Sequence, residues 1–192
     1  MPLFNEERTL PEIIRRVFCA CGGFAEVIFV DDGSTDHSLQ ILRPHARSQD
    51  TVLTKRNAGK GSAVRLGFAR AKGHYVVTQD ADLEYDPRDL VTMLERAERE
   101  RLPAIFGSRR LRPERHYAHI KFYIGGCLLT WFCNALFGTR LTDQPNCYKM
   151  VRRDILQNLP LTEDDFRLDS ELTALLARAG VPIAECPTSY VP

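Results

Sequence analysis

Several chemistries are excluded by what this sequence lacks. It has no Cys-x-x-Cys pair: Cys19, Cys21, Cys127, Cys133, Cys147 and Cys186 are scattered through 192 residues. A chain this long builds its own core and does not need disulfide staples. Reduced thiols and a cytosolic setting are therefore the expectation. None of the five histidines has the His-Glu-x-x-His spacing of a histidine-built metal site. There is no excess of one charge either, since 26 basic residues face 25 acidic ones for a net +1. No global basic field is available to hold nucleic acid. The amino end is polar by residue 5, which does not fit a secretory signal. The longest apolar run, residues 122–138, is short of the ~20 residues a spanning helix needs and contains Asn134 and two adjacent glycines. It reads as a core or interfacial helix. No internal repeat or low-complexity linker is present.

What is there alternates between two periods. Leu10, Ile13, Ile14 and Val17 form a helical stripe behind Thr9, and Thr9 and Glu12 have capping-box spacing. Short apolar runs at 27–30, 51–54, 75–78, 104–106, 146–151 and 182–186 predict strands. Between them come helical stripes: Leu39, Leu42 and Ala46 after a Ser34 or Thr35 cap, then Ala63, Gly67 and Ala71. Leu90, Met93, Leu94 and Ala97 follow Pro87, and Leu168, Leu172, Leu175, Leu176 and Ala179 stop at Gly180. An apolar helix is expected near 119–137. Strands alternating with helices predict an α/β sandwich with a largely parallel sheet.

Two acidic clusters follow apolar strands, where open α/β sheets bind ligands. In Asp80-Ala81-Asp82-Leu83-Glu84, an extended backbone would turn Asp80 and Asp82 to one side, facing one hard divalent cation. The alternative is a solvated acidic turn. Asp31-Asp32-Gly33-Ser34 is either turn and cap chemistry or a carboxylate for a base or ribose. Asn57-Ala-Gly-Lys60-Gly61 opens a helix, and free N–H groups there would suit an anion; a tight ligand-free loop is equally compatible. It is not a P-loop. Arg109, after the 104–106 strand, has the planar fork that suits phosphate, but surface arginine pairs are common. Asp143 is either a general base or a turn residue before Pro145.

Taken in series, these segments resemble family 2 glycosyltransferases, and in particular the branch of polyprenyl-phosphate (dolichol-phosphate-type) mannosyl- and glucosyltransferases. The matching stretches are Met1–Glu7, Val30–Asp36, Asn57–Gly61, Gln79–Pro87, Gly107–Arg109, Thr142-Asp143 and Cys147–Lys149. They occur in family order over nearly the whole chain.

The resemblance implies a GT-A fold, a three-layer α/β sandwich around a mostly parallel central sheet, with 1–192 as one domain. It implies that Pro2, Phe4, Glu6, Asp31 and Asp32 line the nucleotide pocket of a GDP- or UDP-sugar, with Lys60, Asp80 and Ala81 beside it. Asp80 and Asp82 would hold Mg²⁺ or Mn²⁺, with Glu84 as an additional ligand. Arg109 would lie near an acceptor phosphate, and Asp143 near sugar and acceptor. The implied chemistry is inverting transfer. The 119–137 segment would lie flat at the cytoplasmic face of a membrane and seat a polyprenyl phosphate. A homo-oligomer is left open, and no nucleic-acid partner is expected.

Three departures are visible. The sequence begins inside the family's first motif. It ends at Tyr190-Val-Pro192, where the pattern continues with an arginine and a basic segment. It also carries Lys121 and the Gly125-Gly126 pair where phosphate-lipid synthases have a serine or arginine.

Overall fold

The computed structural model describes residues 1–112 and 120–191. The expected helix start at residue 119 and the chain end at Pro192 lie outside them.

The elements run β1 (Pro2–Leu3), α1 (Leu10–Cys21), β2 (Ile28–Asp31), α2 (Ser38–Leu42), β3 (Thr51–Thr54), α3 (Lys60–Arg70) and β4 (Tyr75–Val76). They continue with α4 (Arg88–Arg99), β5 (Ala104–Ser108), α5 (Ile120–Phe137), β6 (Lys149–Arg152), α6 (Arg153–Leu156), α7 (Leu168–Arg178) and β7 (Ile183–Pro187). Every predicted apolar run becomes a strand, with ends shifted by up to three residues.

The strands form two sheets. β1, β2 and β3 pair in parallel. The second sheet has the order β4-β6-β5-β7, with β5 and β7 parallel and β6 antiparallel to both its neighbours. The pairing is mostly parallel, as expected, but β6 reverses and the two sheets are not continuously paired.

Alternation along β5 and β6 sorts the core onto two faces. Ile105 and Met150 pack with Leu90, Met93 and Ala97 of α4. Ala104, Phe106 and Val151 pack with Val64 and Phe68 of α3 and with Leu168, Leu172 and Leu176 of α7. Helices thus cover both faces of the second sheet, the layered arrangement the alternating pattern predicted. A third cluster joins β1, β2, α1 and α2 through Leu3, Ile13, Phe29 and Leu42.

Several local predictions fail for identifiable reasons. The capping box at Thr9 does not form. The Thr9 hydroxyl turns back to Glu6, and Glu12 instead pairs with Arg15 and Arg16. Neither Ser34 nor Thr35 caps α2. The Asp36 carboxylate accepts from Ser38 N–H at 2.9 Å, and the helix ends at Leu42, before Ala46. All six cysteines are free thiols, and no described helix is long and apolar enough to cross a membrane.

Candidate active site

The site is assembled where β1, β2 and β4 end. Asn5 donates its N–H to Ser34 Oγ, and its side chain accepts from Thr35 N–H, so the first motif is stitched to the loop after β2. Glu6 is fixed by Ser38 and Thr9. Phe4 is about half exposed beside them. Gly33 has φ +76, and a Cβ there would meet the Asn57 backbone at 2.9 Å. Only glycine lets the loop turn this close to residues 55–57.

Asp31 and Asp32 are both buried, yet they differ. Asp31 accepts one long bond, from Ser34 N–H at 3.3 Å. The Asp32 carboxylate is saturated: Lys55 Nζ at 2.5 Å, Ala58 N–H at 3.1 Å and Gly59 N–H at 2.9 Å. The glycine-rich loop therefore already holds an anion, and it is the protein's own Asp32. Three residues on, Ser62 N–H donates to Asp164 O. A Cβ on Gly59 would strike that same carbonyl at 2.4 Å. Of the 57–61 amides, those of Ala58 and Gly59 are thus taken by Asp32, and the loop's glycines pack against 163–165.

Lys60 leaves this loop and reaches Asp80, 2.7 Å away. Burial alone would lower its pKa, but the Asp80 carboxylate outweighs burial and holds the ammonium above its usual range. Residues 81–85 are a series of bends rather than an extended strand, so strand alternation does not set the Asp80–Asp82 relation. Ala81 does that instead. Its side chain is buried in the cluster of β1 and β2, leaving its two neighbours partly exposed. Gln79 fixes the entry to the loop: it donates to Asp80 O and accepts from the buried Tyr148 hydroxyl at 2.7 Å.

Asp82 is pushed up to about 6, first by burial and then by the Asp80 charge, with Glu84 adding to it. The three carboxylates nevertheless do not converge. Among the described residues, no cluster of three His, Cys, Asp or Glu side chains is ready to hold a metal ion. Asp80 is drawn to Lys60, and Asp82 accepts from Glu84 N–H at 3.1 Å. Without an ion, Asp80, Asp82 and Glu84 form an acidic loop in which Asp80 and Glu84 repel Asp82. Its hard oxygen donors and excess negative charge do fit a divalent cation.

Arg109 and Asp143 meet as a fork. Nε donates to Oδ2 at 2.7 Å, Nη2 to Oδ1 at 2.9 Å, and the Arg109 N–H adds a third bond at 2.9 Å. Asp143 is 1% exposed. Burial would raise its pKa, but Arg109 wins and holds it below the ordinary carboxylate value. A general base needs a free, basic oxygen, and here both Asp143 oxygens accept from Arg109. Glu185 in turn accepts the N–H groups of Thr142 and Asp143.

Tyr190 lies between the acidic loop and the Arg109–Asp143 fork: Val191, next to it, donates its N–H to Glu84 O at 2.8 Å, and Arg109 lies over the Tyr190 ring at 5.1 Å. Sequence reasoning assigned it no role, nor Tyr148, Gln79 or Glu185. Cys147, Tyr148 and Lys149, read as one motif, prove to be support under the acidic loop and β5. Cys147 bonds Thr78 O, and Lys149 is buried against Asn146 O and Phe106.

Helix α5 borders this half. Thr130 and Cys133 are buried, and Asn134 clamps Thr139 and Leu141. The Thr130 hydroxyl accepts from Gln144 N–H. The other side presents Phe122, Leu128, Trp131, Phe132 and Leu136 to solvent.

The family model "Glycosyl transferase family 2" matches residues 1–159. The chain belongs to that family. An undecaprenyl-phosphate 4-deoxy-4-formamido-L-arabinose transferase of Pseudomonas aeruginosa (strain LESB58) is 38% identical over 104 residues, 50% of this chain and 31% of that protein. A dodecaprenyl-phosphate galacturonate synthase of Rhizobium johnstonii is 29% identical over 168 residues, 84% of this chain and 49% of that protein. The chain thus matches between about a third and a half of these relatives' length. Among solved structures, glucosyl-3-phosphoglycerate synthase of M. tuberculosis superposes with a TM-score of 0.76 at 20% identity. The match covers all of this chain and 71% of that one. The same enzyme with Mn²⁺, uridine diphosphate and phosphoglyceric acid gives 0.73 at 19% identity, covering 100% and 69%. The fold shared with these glycosyltransferases is the GT-A fold.

Proposed function

We propose that this glycosyltransferase domain, spanning 1–192, moves a sugar from a GDP- or UDP-sugar to a polyprenyl phosphate, with inversion at the anomeric carbon. The observation that carries the reading is the Arg109–Asp143 fork next to α5, a helix whose outer side is apolar and exposed. A guanidinium held rigidly by a buried carboxylate suits a phosphate headgroup. An apolar helix side next to it suits the lipid chain. Arg110 adds a second cation at the same place, with its guanidinium over the Tyr123 ring and close enough to Gly126 that a Cβ there would lie 3.2 Å away.

The engaged Asp143 supports an acceptor of this kind. A phosphate monoester has a second pKa of ~6 and arrives largely as a dianion, so it needs no base to become a nucleophile. Its oxygen attacks the anomeric carbon as the bond from that carbon to the diphosphate breaks. Arg109 orients the incoming phosphate and offsets its repulsion from the donor. Asp31 and the Phe4–Glu6 segment line the donor side. Asp80 and Asp82, with Glu84 behind, would hold Mg²⁺ or Mn²⁺. When bound, that ion neutralises the departing diphosphate. The acceptors in the relatives' names, undecaprenyl and dodecaprenyl phosphate, favour the same class. The chain would act at the cytoplasmic face of a membrane.

The test supplies UDP- and GDP-sugars, Mg²⁺ or Mn²⁺ and vesicles containing a polyprenyl phosphate, and measures nucleoside diphosphate release. Release that requires the lipid phosphate is expected. Release with a soluble saccharide but not with the lipid would sink the acceptor assignment. Donor binding without release under every condition would make the chain a binding domain.

A further inference from the structure

A small pocket lies beside Lys60, between α3 and the start of α7. Its volume is about 10 Å³, room for roughly one water-sized group. Val64, Phe68 and Leu172 make part of its lining apolar, while Lys149, Asp169 and Thr78 make another part polar. Two of these charged side chains have hydrogen-bonding capacity to spare. Lys149 is 2% exposed. Its ammonium carries three N–H donors, and among the described residues its one hydrogen bond goes to Asn146 O at 3.1 Å. The Asp169 carboxylate stands 3.5 Å from it, an ion pair too long for a good hydrogen bond. That ion pair is the only contact the Asp169 carboxylate makes with a donor among the described residues.

Asp169 is nevertheless held in place. Buried Gln144 donates Nε2 to Asp169 O at 3.4 Å and to Ser170 Oγ at 3.2 Å. The Thr173 hydroxyl donates to the same carbonyl at 2.9 Å. A fixed acceptor and a fixed donor therefore share one notch. An oxygen lying about 2.8 Å from both would complete them, and a hydroxyl can donate to the carboxylate and accept from the ammonium through that one atom.

The notch adjoins the donor half. Lys60 lines it and pairs with Asp80 at 2.7 Å, and Asp169 is close enough to attract the Lys60 ammonium as well. Phe166, also in the lining, is 73% exposed, and Lys60 stands 5.2 Å from its ring centre. An aromatic face is negative and suits polarised C–H groups.

We propose that this pocket is a subsite for the transferred sugar, in which Asp169 and Lys149 hold one hydroxyl and Phe166 is a platform for the sugar ring. The assignment rests on the nucleotide-sugar reading, with Asp80 and Lys60 at the diphosphate end. It narrows the substrate class to sugars with a free hydroxyl at the carbon that meets the notch. A deoxy sugar would leave a buried acceptor and donor unfilled, and sites built this way reject such analogues strongly. A hydroxyl carrying a substituent would not fit the volume.

The test is calorimetry with Mn²⁺ and no acceptor. Uridine diphosphate, UDP-glucose, UDP-galactose, guanosine diphosphate and GDP-mannose are titrated into the parent, Asp169→Asn and Phe166→Ala. For the sugar nucleotide that the parent binds best, Asp169→Asn is expected to weaken binding about tenfold, while the matching free diphosphate stays within about twofold. Phe166→Ala should show the same contrast at severalfold. A purely structural ion pair would not produce that contrast, because a damaged fold weakens both ligands alike. If Asp169→Asn does not fold, Asp169→Glu replaces it: the ion pair is kept, the notch is filled, and the same selective loss is expected. Equal effects on sugar nucleotide and diphosphate, or no effect on either, would overturn the subsite while leaving the transferase reading intact. A parent chain that binds none of the five would overturn both.

Discussion

The donor half and the acceptor half of the site handle their carboxylates in opposite ways. Asp143 is buried with both oxygens engaged by one arginine. The acidic loop holds Asp80, Asp82 and Glu84, and among the described residues one cation, Lys60, pairs with one of them. Around Asp143 the charges are paired, so they position. In the acidic loop the carboxylates repel one another, and a ligand that brings positive charge relieves that repulsion. Stability and activity should therefore separate cleanly between the halves.

The largest effect is expected on the satisfied side. Asp143→Ala leaves Arg109 partly buried without its partner, and removing one member of a buried pair costs about 3–5 kcal/mol. Chemical denaturation should show that loss. The pH profile sharpens it. Asp143 is held below its ordinary value, so its contribution is present above about pH 4 and is lost as pH falls through its folded value. Asp143→Asn should flatten that acid limb. A variant as stable as the parent at pH 7 would contradict the positioning role.

Asp82→Asn should do the reverse. Removing a like charge from the loop is expected to leave melting unchanged or raise it slightly. Diphosphate release should fall about a hundredfold or more, the scale of losing one electrostatic stabiliser. Unaltered turnover would remove Asp82 from the metal assignment. A smaller effect belongs to α5. Trp131→Ser deletes one large exposed apolar side chain, worth about 1.5 kcal/mol if buried in lipid. Vesicle affinity in co-sedimentation should drop about tenfold with melting untouched. Equal vesicle binding would mean that this side of α5 does not meet the lipid.

The same contrast decides what could be read from the sequence. The strands and helices were legible because apolar period alone encodes them. The acidic loop was legible because Asp80 and Asp82 lie only two positions apart in the chain, just past a strand. The satisfied half was not. Asp143 looked like a base because its partner, Arg109, is 34 residues away. Tyr148 and Gln79 meet across 69 residues, and nothing local marks either. Glu185, which holds the backbone at 142–143, sits on a strand that reads as ordinary core. The glycine-rich loop misled for a related reason. Its amides do bind an anion, but the anion comes from Asp32, 26 residues earlier.

Lys60 offers the finest cut through the comparison, because it is the one charge that belongs to both regimes. It neutralises Asp80 now, at 2.7 Å, and it stands where an incoming cation would compete for the same oxygen. Lys60→Gln should therefore tighten Mn²⁺ binding severalfold in calorimetry without donor. A severalfold change is about 1 kcal/mol, modest because the pair is partly exposed to water. With the nucleotide sugar present, the sign should invert. A displaced Lys60 ammonium is free to meet the diphosphate, so the variant should bind donor more weakly even though it binds metal more tightly. Were both affinities to fall together, Lys60 would be holding the acidic loop in shape rather than guarding it, and the donor half would be as preorganised as the acceptor half.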